Sequence, residues 1–418
     1  MDILEELKYR GCLFQTTEGV DKRLAKGPAN VYWGVDPTAA SMTIGNLVPL
    51  VIFRRLQLAG HHPIALVGGG TGLIGDPGGK DAERLLSSYE LIAANTASMR
   101  EELGRFLDFD TKTNPAQMVS NLDWLSELKI IDFLRDVGKH FPINQMLAKE
   151  SVASRLESGI SFTEFSYMIL QAYDFLELYR RHNCEIQIGG SDQWGNITAG
   201  IELIRRELGE QAYGFTNPLL ERSDGKKFGK SEEGAVFLNP AMTSSYQFYQ
   251  WFINVPDADV VKFLKIFTFL EPDAIEALGR EVDAAPEKRE GQRVLAEEVT
   301  TFVHGQDASK RAIHISEALF YGNLSELSVQ EVEEGFSDVP SHTMTGSEDK
   351  SLIDLLVEGG VSSSKRQARE DIKNGAISIN GERRTDLAMK LTPNDALAGK
   401  FVVVRRGKHK YFLIRWER

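Results

Sequence analysis

A chain of 418 residues with 42 % hydrophobic and 26 % charged content has the length for two or three domains and the composition of an ordinary soluble protein. No apolar run approaches the roughly 18 residues of a membrane span, and the two cysteines, Cys12 and Cys184, exclude a disulfide framework and a thiolate metal cluster, so no protein-held metal site is expected. The net charge of -12 argues against a polyanion only as an average, because residues 350–418 hold 15 Lys+Arg against 8 Asp+Glu while residues 1–349 hold 33 against 52.

Met1-Asp-Ile-Leu-Glu-Glu carries acid where a secretory signal carries base, which predicts a cytoplasmic protein without membrane attachment. Residues 1–28 read as a helix, with Ile3, Leu4 and Leu7 at helical spacing, followed by a polar approach to a short apolar strand at 29–35. Asp36-Pro37 breaks that strand, and from Ile44 onward Leu47, Leu50, Val51 and Leu56 keep one helical face apolar. A helix opening near Gly45 presents unpaired N–H groups and a positive dipole end, a setting for an anion such as triphosphate.

Pro63–Val67 is a second buried strand that runs into Gly68-Gly-Gly-Thr-Gly-Leu-Ile-Gly-Asp-Pro-Gly-Gly-Lys80. Gly70-Thr-Gly-Leu-Ile-Gly75 matches the dinucleotide fingerprint in letters, but Asp76-Pro77-Gly78-Gly79 forbids the helix that the fingerprint requires. The Walker pattern fails as well, since Lys80 precedes Asp81 and Asp224 stands where the first glycine before Gly229-Lys230-Ser231 would be. Strands separated by helical segments predict a parallel sheet covered on both faces, with ligands at the carboxyl ends of its strands.

Residues 82–183 read as mainly helical, and within 161–176 the side chains Tyr167, Gln171 and Asp174 fall at i, i+4 and i+7 on one face. A strand at 185–188 then opens into Gly189-Gly-Ser-Asp-Gln-Trp-Gly-Asn196, where the glycines admit a close ligand and Asp192 suits a ribose diol. Ser223-Asp-Gly-Lys-Lys-Phe-Gly-Lys-Ser231 is a polar loop whose interleaved glycines and lysines suit a mobile, phosphate-neutralising lid, although a plain solvated loop reads the same way. Residues 243–316 look helical, 334–349 lack periodicity and read as a linker, and 352–418 form a small basic α/β unit.

These segments, in order and from end to end, resemble the bacterial tyrosyl-tRNA synthetases, which are class I aminoacyl-tRNA synthetases. Thr43-Ile-Gly-Asn46 stands at the first class signature, usually His-Ile-Gly-His, and Lys227-Phe-Gly-Lys-Ser231 at the second, usually Lys-Met-Ser-Lys-Ser. Gly72-Leu-Ile-Gly-Asp-Pro77, Phe165 to Asp174 and Gly189 to Asn196 resemble segments specific to the tyrosyl branch. Lys365-Arg366 with Gly375-Ala-Ile-Ser-Ile-Asn-Gly381 resembles the ribosomal S-four-type RNA-binding domain that ends these enzymes.

The resemblance implies ATP-dependent attachment of L-tyrosine to tRNA(Tyr) through a tyrosyl-adenylate, with Mg²⁺ accompanying ATP. It implies that Tyr32 and Asp174 bind the phenol, that Asp76, Tyr167 and Gln171 hold the ammonium group, and that Gln193 meets the reacting carbonyl. Asp36, Thr38, Gly45, Gly190, Asp192 and Ser231 would contact ATP, with Gly190 and Asp192 on its ribose. Thr43, Asn46, Lys80, Arg84, Lys227 and Lys230 would assist the chemistry, and Lys365, Arg366, Arg369 and Lys373 would meet tRNA. Family members are homodimers, and Phe162 resembles a position at their interface.

The same resemblance implies a Rossmann-like catalytic domain over residues 1–222, a loop and connector over 223–242, a helical anticodon-side domain over 243–333, a linker over 334–349 and an S-four-like domain over 350–418. Two positions depart from the pattern. Thr43 and Asn46 replace both signature histidines, as the tryptophanyl sister family commonly does, and Trp33 stands where relatives often carry a small residue near the ribose. A synthetase-like RNA-binding protein without catalysis, and a tryptophan enzyme, are the alternative readings. The Tyr32 and Asp174 pair suits a phenol better than an indole.

Overall fold

The computed structural model describes residues 2–76, 87–153, 155–157, 159–221, 223, 228–231, 234–346, 349–407 and 410–417. They fall into two units, residues 1–243 with 255–295, and residues 244–254 with 296–418.

The first unit is built on a sheet of β1 (Gln15–Thr16), β2 (Asn30–Val35), β3 (His62–Val67), β4 (Gln117–Ser120), β5 (Cys184–Gly190) and β6 (Tyr213–Asn217), in the order β1-β6-β5-β2-β3-β4. All neighbours are parallel except β1 on β6. Val31, Tyr32 and Trp33 of β2 and Ile64 to Val67 of β3 are buried on both faces, as expected of central strands covered by helices on either side. The Leu47–Leu58 helix carries the chain from β2 to β3 and is apolar nearly all round, a helix packed inside the unit.

Strands β1, β4 and β6 were not legible in the sequence. β1 has two residues, and only Ser120 of β4 is buried, so neither shows the alternation that marks a strand. The Phe162–His182 helix begins where the Ser161 hydroxyl accepts from Glu164 N and stops at Asn183, whose φ of 48° lies in the left-handed region. It packs on the Trp194–Leu208 helix at Gly200, where a Cβ would come within 2.9 Å of the Phe175 ring. After the sheet, β7 (Lys230–Ser231) and β8 (Gly234–Ala235) form a short antiparallel pair.

The second unit contains β9 (Ser341–Thr345), β10 (Lys350–Ser351), β11 (Ile377–Ile379), β12 (Glu382–Arg384), β13 (Lys390–Leu391), β14 (Phe401–Arg406) and β15 (Lys410–Glu417). Five of these make a sheet in the order β12-β11-β14-β15-β9. Leu352, Leu355, Ile372, Ile377, Val402, Val404 and Ile414 form its core. Part of the stretch read as linker is therefore a strand: β9 runs parallel to β15, from Ser341 opposite Leu413 to Thr345 opposite Glu417. Only Met344 of its five residues is buried, which leaves no periodic signal in the sequence.

Candidate active site

From β2 the chain winds outward to β3 and β4, and later returns to place β5 and β6 on the other flank of β2. The strand order thus reverses between β2 and β5, the crevice in which open α/β sheets bind ligands. A cavity of about 340 Å³ lies there, lined by Val35 and Asp36 at the end of β2, Ile188 to Gly190 at the end of β5, and Asp192 and Gln193 just beyond. Tyr32, Thr38, Gly45, Asn46, Asp76, Tyr167, Gln171 and Asp174 also line it, so most of the residues singled out in the sequence share one space.

Asp174 is 2 % exposed, and each of its oxygens has a protein donor. Trp124 Nε1 donates to Oδ1 at 2.8 Å and Asn121 Nδ2 donates to Oδ2 at 2.9 Å. Burial pushes its carboxyl up to about 8, against the pull of the Asn121 and Trp124 hydrogen bonds and with a further push from Asp36. Beside it the Tyr32 hydroxyl is buried and makes no hydrogen bond to a described protein group. The Tyr32 ring is held against Phe175, with centroids 5.1 Å apart, which fixes the direction of that hydroxyl. A buried acceptor next to a buried hydroxyl is a recognition pair for a ligand that carries a hydroxyl of its own.

The remaining polar groups form a connected network. Tyr167 donates to Asp36 Oδ2 at 2.8 Å, and the Thr71 hydroxyl donates to Asp36 Oδ1 at 2.7 Å. Gly68 faces this corner, and any Cβ there would collide with the Asp36 carboxylate and the Thr71 hydroxyl, so the strand end accepts only glycine. Gln193 Nε2 donates to Asp76 Oδ2 at 2.7 Å and to Asp192 Oδ2 at 3.0 Å. Gln193 Oε1 accepts from Gln171 Nε2 at 3.2 Å and from Asn196 Nδ2 at 3.0 Å. Burial and the neighbouring Asp36 push the Tyr167 phenol up, which keeps it a hydroxyl donor.

At the helix entrance Asn46 Oδ1 accepts from the Thr43 backbone N–H at 3.0 Å and from the Thr43 hydroxyl at 3.2 Å. With its oxygen so engaged, Asn46 presents its NH₂ as the donor end. Asn46 and Gly45 line the cavity and Thr43 does not, so the two halves of the signature differ in access. The Trp33 ring lies edge-on to Phe53, centroids 6.3 Å apart, and is buried while forming part of the cavity wall.

Lys80, Arg84 and Lys227 lie outside the described residues, and Lys230 and Ser231 are described by their backbone in β7 alone. Phe228, within the lysine loop, stacks on Phe267 at 5.4 Å and meets the edge of Phe263 at 5.3 Å. Lys365, Arg366, Arg369 and Lys373 lie on the exposed side of the Lys365–Lys373 helix, whose Ala368 and Ile372 are buried. Sequence reading missed Thr71, Asn121, Trp124, Gln187 and Asn196. Thr71 and Asn196 stood inside quoted motifs without an assigned role, Gln187 carried the signal of an amide between two isoleucines in a buried strand, and Asn121 and Trp124 carried none.

A doubly wound sheet with a polar, carboxylate-rich cavity at its switch point places the chain among the α/β proteins that bind a small polar ligand at the carboxyl ends of their strands. Residues 24–321 match the family described as tRNA synthetases class I (W and Y), and residues 331–414 match the tyrosine–tRNA ligase SYY-like C-terminal domain. The chain is 57 % identical to a tyrosine–tRNA ligase of Bacillus velezensis, over 99 % of this chain and all of that one. It is 57 % identical to the tyrosine–tRNA ligase of Geobacillus stearothermophilus over the full length of both. Among solved structures, a C-terminally truncated mitochondrial tyrosyl-tRNA synthetase of Aspergillus nidulans matches with a TM-score of 0.69 and 29 % identity, over 76 % of this chain and 94 % of that one. The chain belongs to the class I tRNA synthetases of the tryptophan and tyrosine branch.

Proposed function

We infer that this protein is an enzyme that joins L-tyrosine to tRNA(Tyr) at the expense of ATP. The observation that carries the reading is the pairing of Asp174, fixed by Trp124 and Asn121, with a Tyr32 hydroxyl that has no hydrogen-bond partner among the described residues, in a buried corner of the cavity. A phenol O–H donates to Asp174 and accepts from Tyr32. Phenylalanine brings neither the donor to Asp174 nor the acceptor for Tyr32, and a site of this kind rejects it by roughly 10⁴–10⁵, a figure for which this family is a standard example.

We assign the ammonium group to Asp76, Gln171 and Tyr167, and the reacting carboxylate to Gln193. Gly190 and Asp192 take the ribose, and Asp36, Thr38, Gly45 and Asn46 take the rest of the nucleotide. A tyrosine carboxylate oxygen attacks the α-phosphorus, the bond to the β-phosphate oxygen breaks, and pyrophosphate leaves. A hydroxyl of the 3′-terminal ribose of tRNA then attacks the acyl carbon and AMP leaves.

Four carboxylates, Asp36, Asp76, Asp174 and Asp192, line the cavity. They favour an ammonium ion and oppose a triphosphate, so positive charge must come with or close over the ATP. We assign that charge to Mg²⁺ entering with ATP and to Lys80, Arg84, Lys227 and Lys230, with Ser231 beside them.

We place tRNA on Lys365, Arg366, Arg369 and Lys373, and we propose catalytic, helical and RNA-binding parts over 1–222, 243–333 and 350–418, a division by role that differs from the two units, where 255–295 group with 1–243. A homodimer is supported by Ile130, Ile131, Leu134, Ile143 and Phe162, all large and exposed, Phe162 at 78 %. Among the described residues no helix is long and apolar enough to cross a membrane, and a cytoplasmic location fits a part in protein synthesis. Tyrosine-dependent exchange of labelled pyrophosphate into ATP tests the reading. Exchange supported by tryptophan but not tyrosine, or by no amino acid, would remove it.

A further inference from the structure

Outside the cavity the same unit holds a buried carboxylate that the chemistry above leaves unused. Glu102, near the end of the Tyr89–Leu103 helix, is 3 % exposed. Its Oε1 accepts from the Ser41 hydroxyl at 2.7 Å and its Oε2 from the Met42 N–H at 2.8 Å. Burial raises its pKa, so a carboxyl here carries a desolvation cost that an apolar residue would not. What it gains is two acceptor oxygens that hold two consecutive residues at once.

Those residues stand immediately before Thr43, where the first signature segment meets the 236–239 stretch that follows the second. The Ser41 hydroxyl also accepts from Asn239 N at 3.1 Å, and Met42 O accepts from Leu238 N at 2.9 Å. Ile44 N donates to Val236 O at 2.9 Å, and Thr43 faces Phe237 in an antiparallel bridge. Val236 N in turn donates to Gly229 O at 3.2 Å, within the lysine loop. One turn pair earlier on the same helix, Asn95 Nδ2 donates to Pro37 O at 3.0 Å. The Tyr89–Leu103 helix therefore grips the 37–42 loop at both ends, and its Glu102 end is tied through Ser41 to the 236–239 segment that follows the lysine loop.

We propose that Glu102 is a positioning residue for amino-acid activation, which sets the register between Thr43–Asn46 and the Val236–Asn239 segment and so the placement of Gly229 against Gly45. The proposal rests on the reading of the cavity as a tyrosine-activation site. None of the hydrogen bonds it uses reaches the residues assigned to the phenol. Loss of Glu102 should therefore act on ATP and on the activation step while tyrosine binding stays as it is.

The test uses the full-length protein with tyrosyl-adenylate formation followed by stopped flow, normalised to active sites counted by burst titration, together with equilibrium tyrosine binding and thermal melting. A register error of about 1 Å costs up to 10²-fold, so Glu102→Ala should slow adenylate formation per active site by about 10- to 100-fold and raise the KM for ATP. Tyrosine affinity should stay within about twofold, the size of effect left when the contacts removed are remote from the ligand. Glu102→Gln should recover most of the rate, because its amide oxygen can accept from Met42 N–H while its NH₂ donates to Ser41 Oγ.

A merely structural Glu102 would lower the melting temperature and the number of active sites and leave the rate per site unchanged. That result overturns the proposal, as does a Gln variant no better than Ala. Should Glu102→Ala fail to fold, Ser41→Ala carries the test: it cuts the link to Asn239, and a normal rate per site there overturns the proposal equally. Wild-type protein without tyrosine-dependent pyrophosphate exchange would instead sink the reading of the cavity itself.

Discussion

The indole N–H of Trp124 donates to Asp174 at 2.8 Å, across 50 residues of sequence and inside a fully buried corner of the cavity. The Trp124→Phe variant keeps an aromatic ring, though a smaller one, and removes the donor. A buried acceptor that loses a partner costs about 1–3 kcal/mol, so tyrosine should bind about 5- to 150-fold more weakly. The apparent pKa of Asp174 should rise further, since the bond being removed lowers it. Calorimetric titration with tyrosine at several pH values reads both effects, and unchanged affinity would show that the indole is packing alone.

Tyr32 supplies a test with opposite signs for stability and function. Its hydroxyl is buried without a hydrogen bond to any described protein group, so Tyr32→Phe removes a buried polar group that folding leaves unpaired. The free variant should melt at the same temperature as the wild type or above it. Tyrosine binding should weaken by about tenfold, the value of one hydrogen bond of roughly 1.4 kcal/mol, with phenylalanine binding unchanged. A variant that loses stability and keeps its affinity would place the hydroxyl in the fold rather than in recognition.

The free protein should also show a pH dependence of tyrosine binding that comes from Asp174. Its carboxyl is pushed up to about 8, and the form that accepts from a phenol hydroxyl most strongly is the ionised one. Below that pKa a proton must leave before tyrosine binds, so affinity should fall by about tenfold per pH unit on the acid side and level off above it. Stability runs the other way. A carboxyl with a raised folded pKa contributes stability that is complete below the ordinary carboxylate range and is lost as pH rises through about 8. Asp174→Asn should flatten both profiles. Persistence of the binding slope in that variant would assign it to another group.

The parts of this site that were legible in the sequence are those in which chemistry and local geometry coincide. Val35-Asp36 and Gly189 to Asn196 are strand ends followed by turn residues, and Tyr167, Gln171 and Asp174 share a face through helical spacing alone. Trp124 and Asn121 were not legible, because they follow β4, a strand of four residues with a single buried side chain, and the fold brings them to Asp174 from outside its own helix. The strand β9 was hidden for the same reason, four of its five side chains being exposed. Tyr167 was read as a tyrosine-binding group and Asp36 as a nucleotide-binding one. Their 2.8 Å hydrogen bond joins the two halves of the cavity, a relation that motif reading has no means to express.

Thr43 and Asn46 were paired as equal partners in the first signature, and the geometry separates them. Asn46 lines the cavity and its Oδ1 also holds the Thr43 N–H and hydroxyl. Asn46→Ala therefore removes the NH₂ proposed above to meet the nucleotide and releases its neighbour, whereas Thr43→Ala removes one hydroxyl. Losing a preorganised donor to developing charge costs roughly 10²–10³ in rate, so Asn46→Ala should slow adenylate formation by that order and Thr43→Ala by less than about tenfold. Tyrosine binding should be unchanged in both. Equal rates for the two variants would return them to equal standing.

In the second unit Lys365, Arg366, Arg369 and Lys373 occupy the exposed side of one short helix. Lys365 is paired with Asp354 at 2.7 Å, so its charge is partly spent within the unit, while Arg366 and Arg369 lie one helical turn apart. Replacing Arg366 and Arg369 by Glu reverses the local charge without touching buried Ala368 or Ile372, and the unit should keep its fold. Pyrophosphate exchange uses no tRNA and should be unaffected. Transfer of tyrosine to tRNA should lose kcat/KM by about 10- to 100-fold at moderate salt. Its dependence on salt should become shallower by close to one power per lost phosphate contact, because fewer counterions are released. If exchange and transfer fell together, the helix would be acting on the fold, and the site of tRNA contact would have to be sought elsewhere in the basic unit.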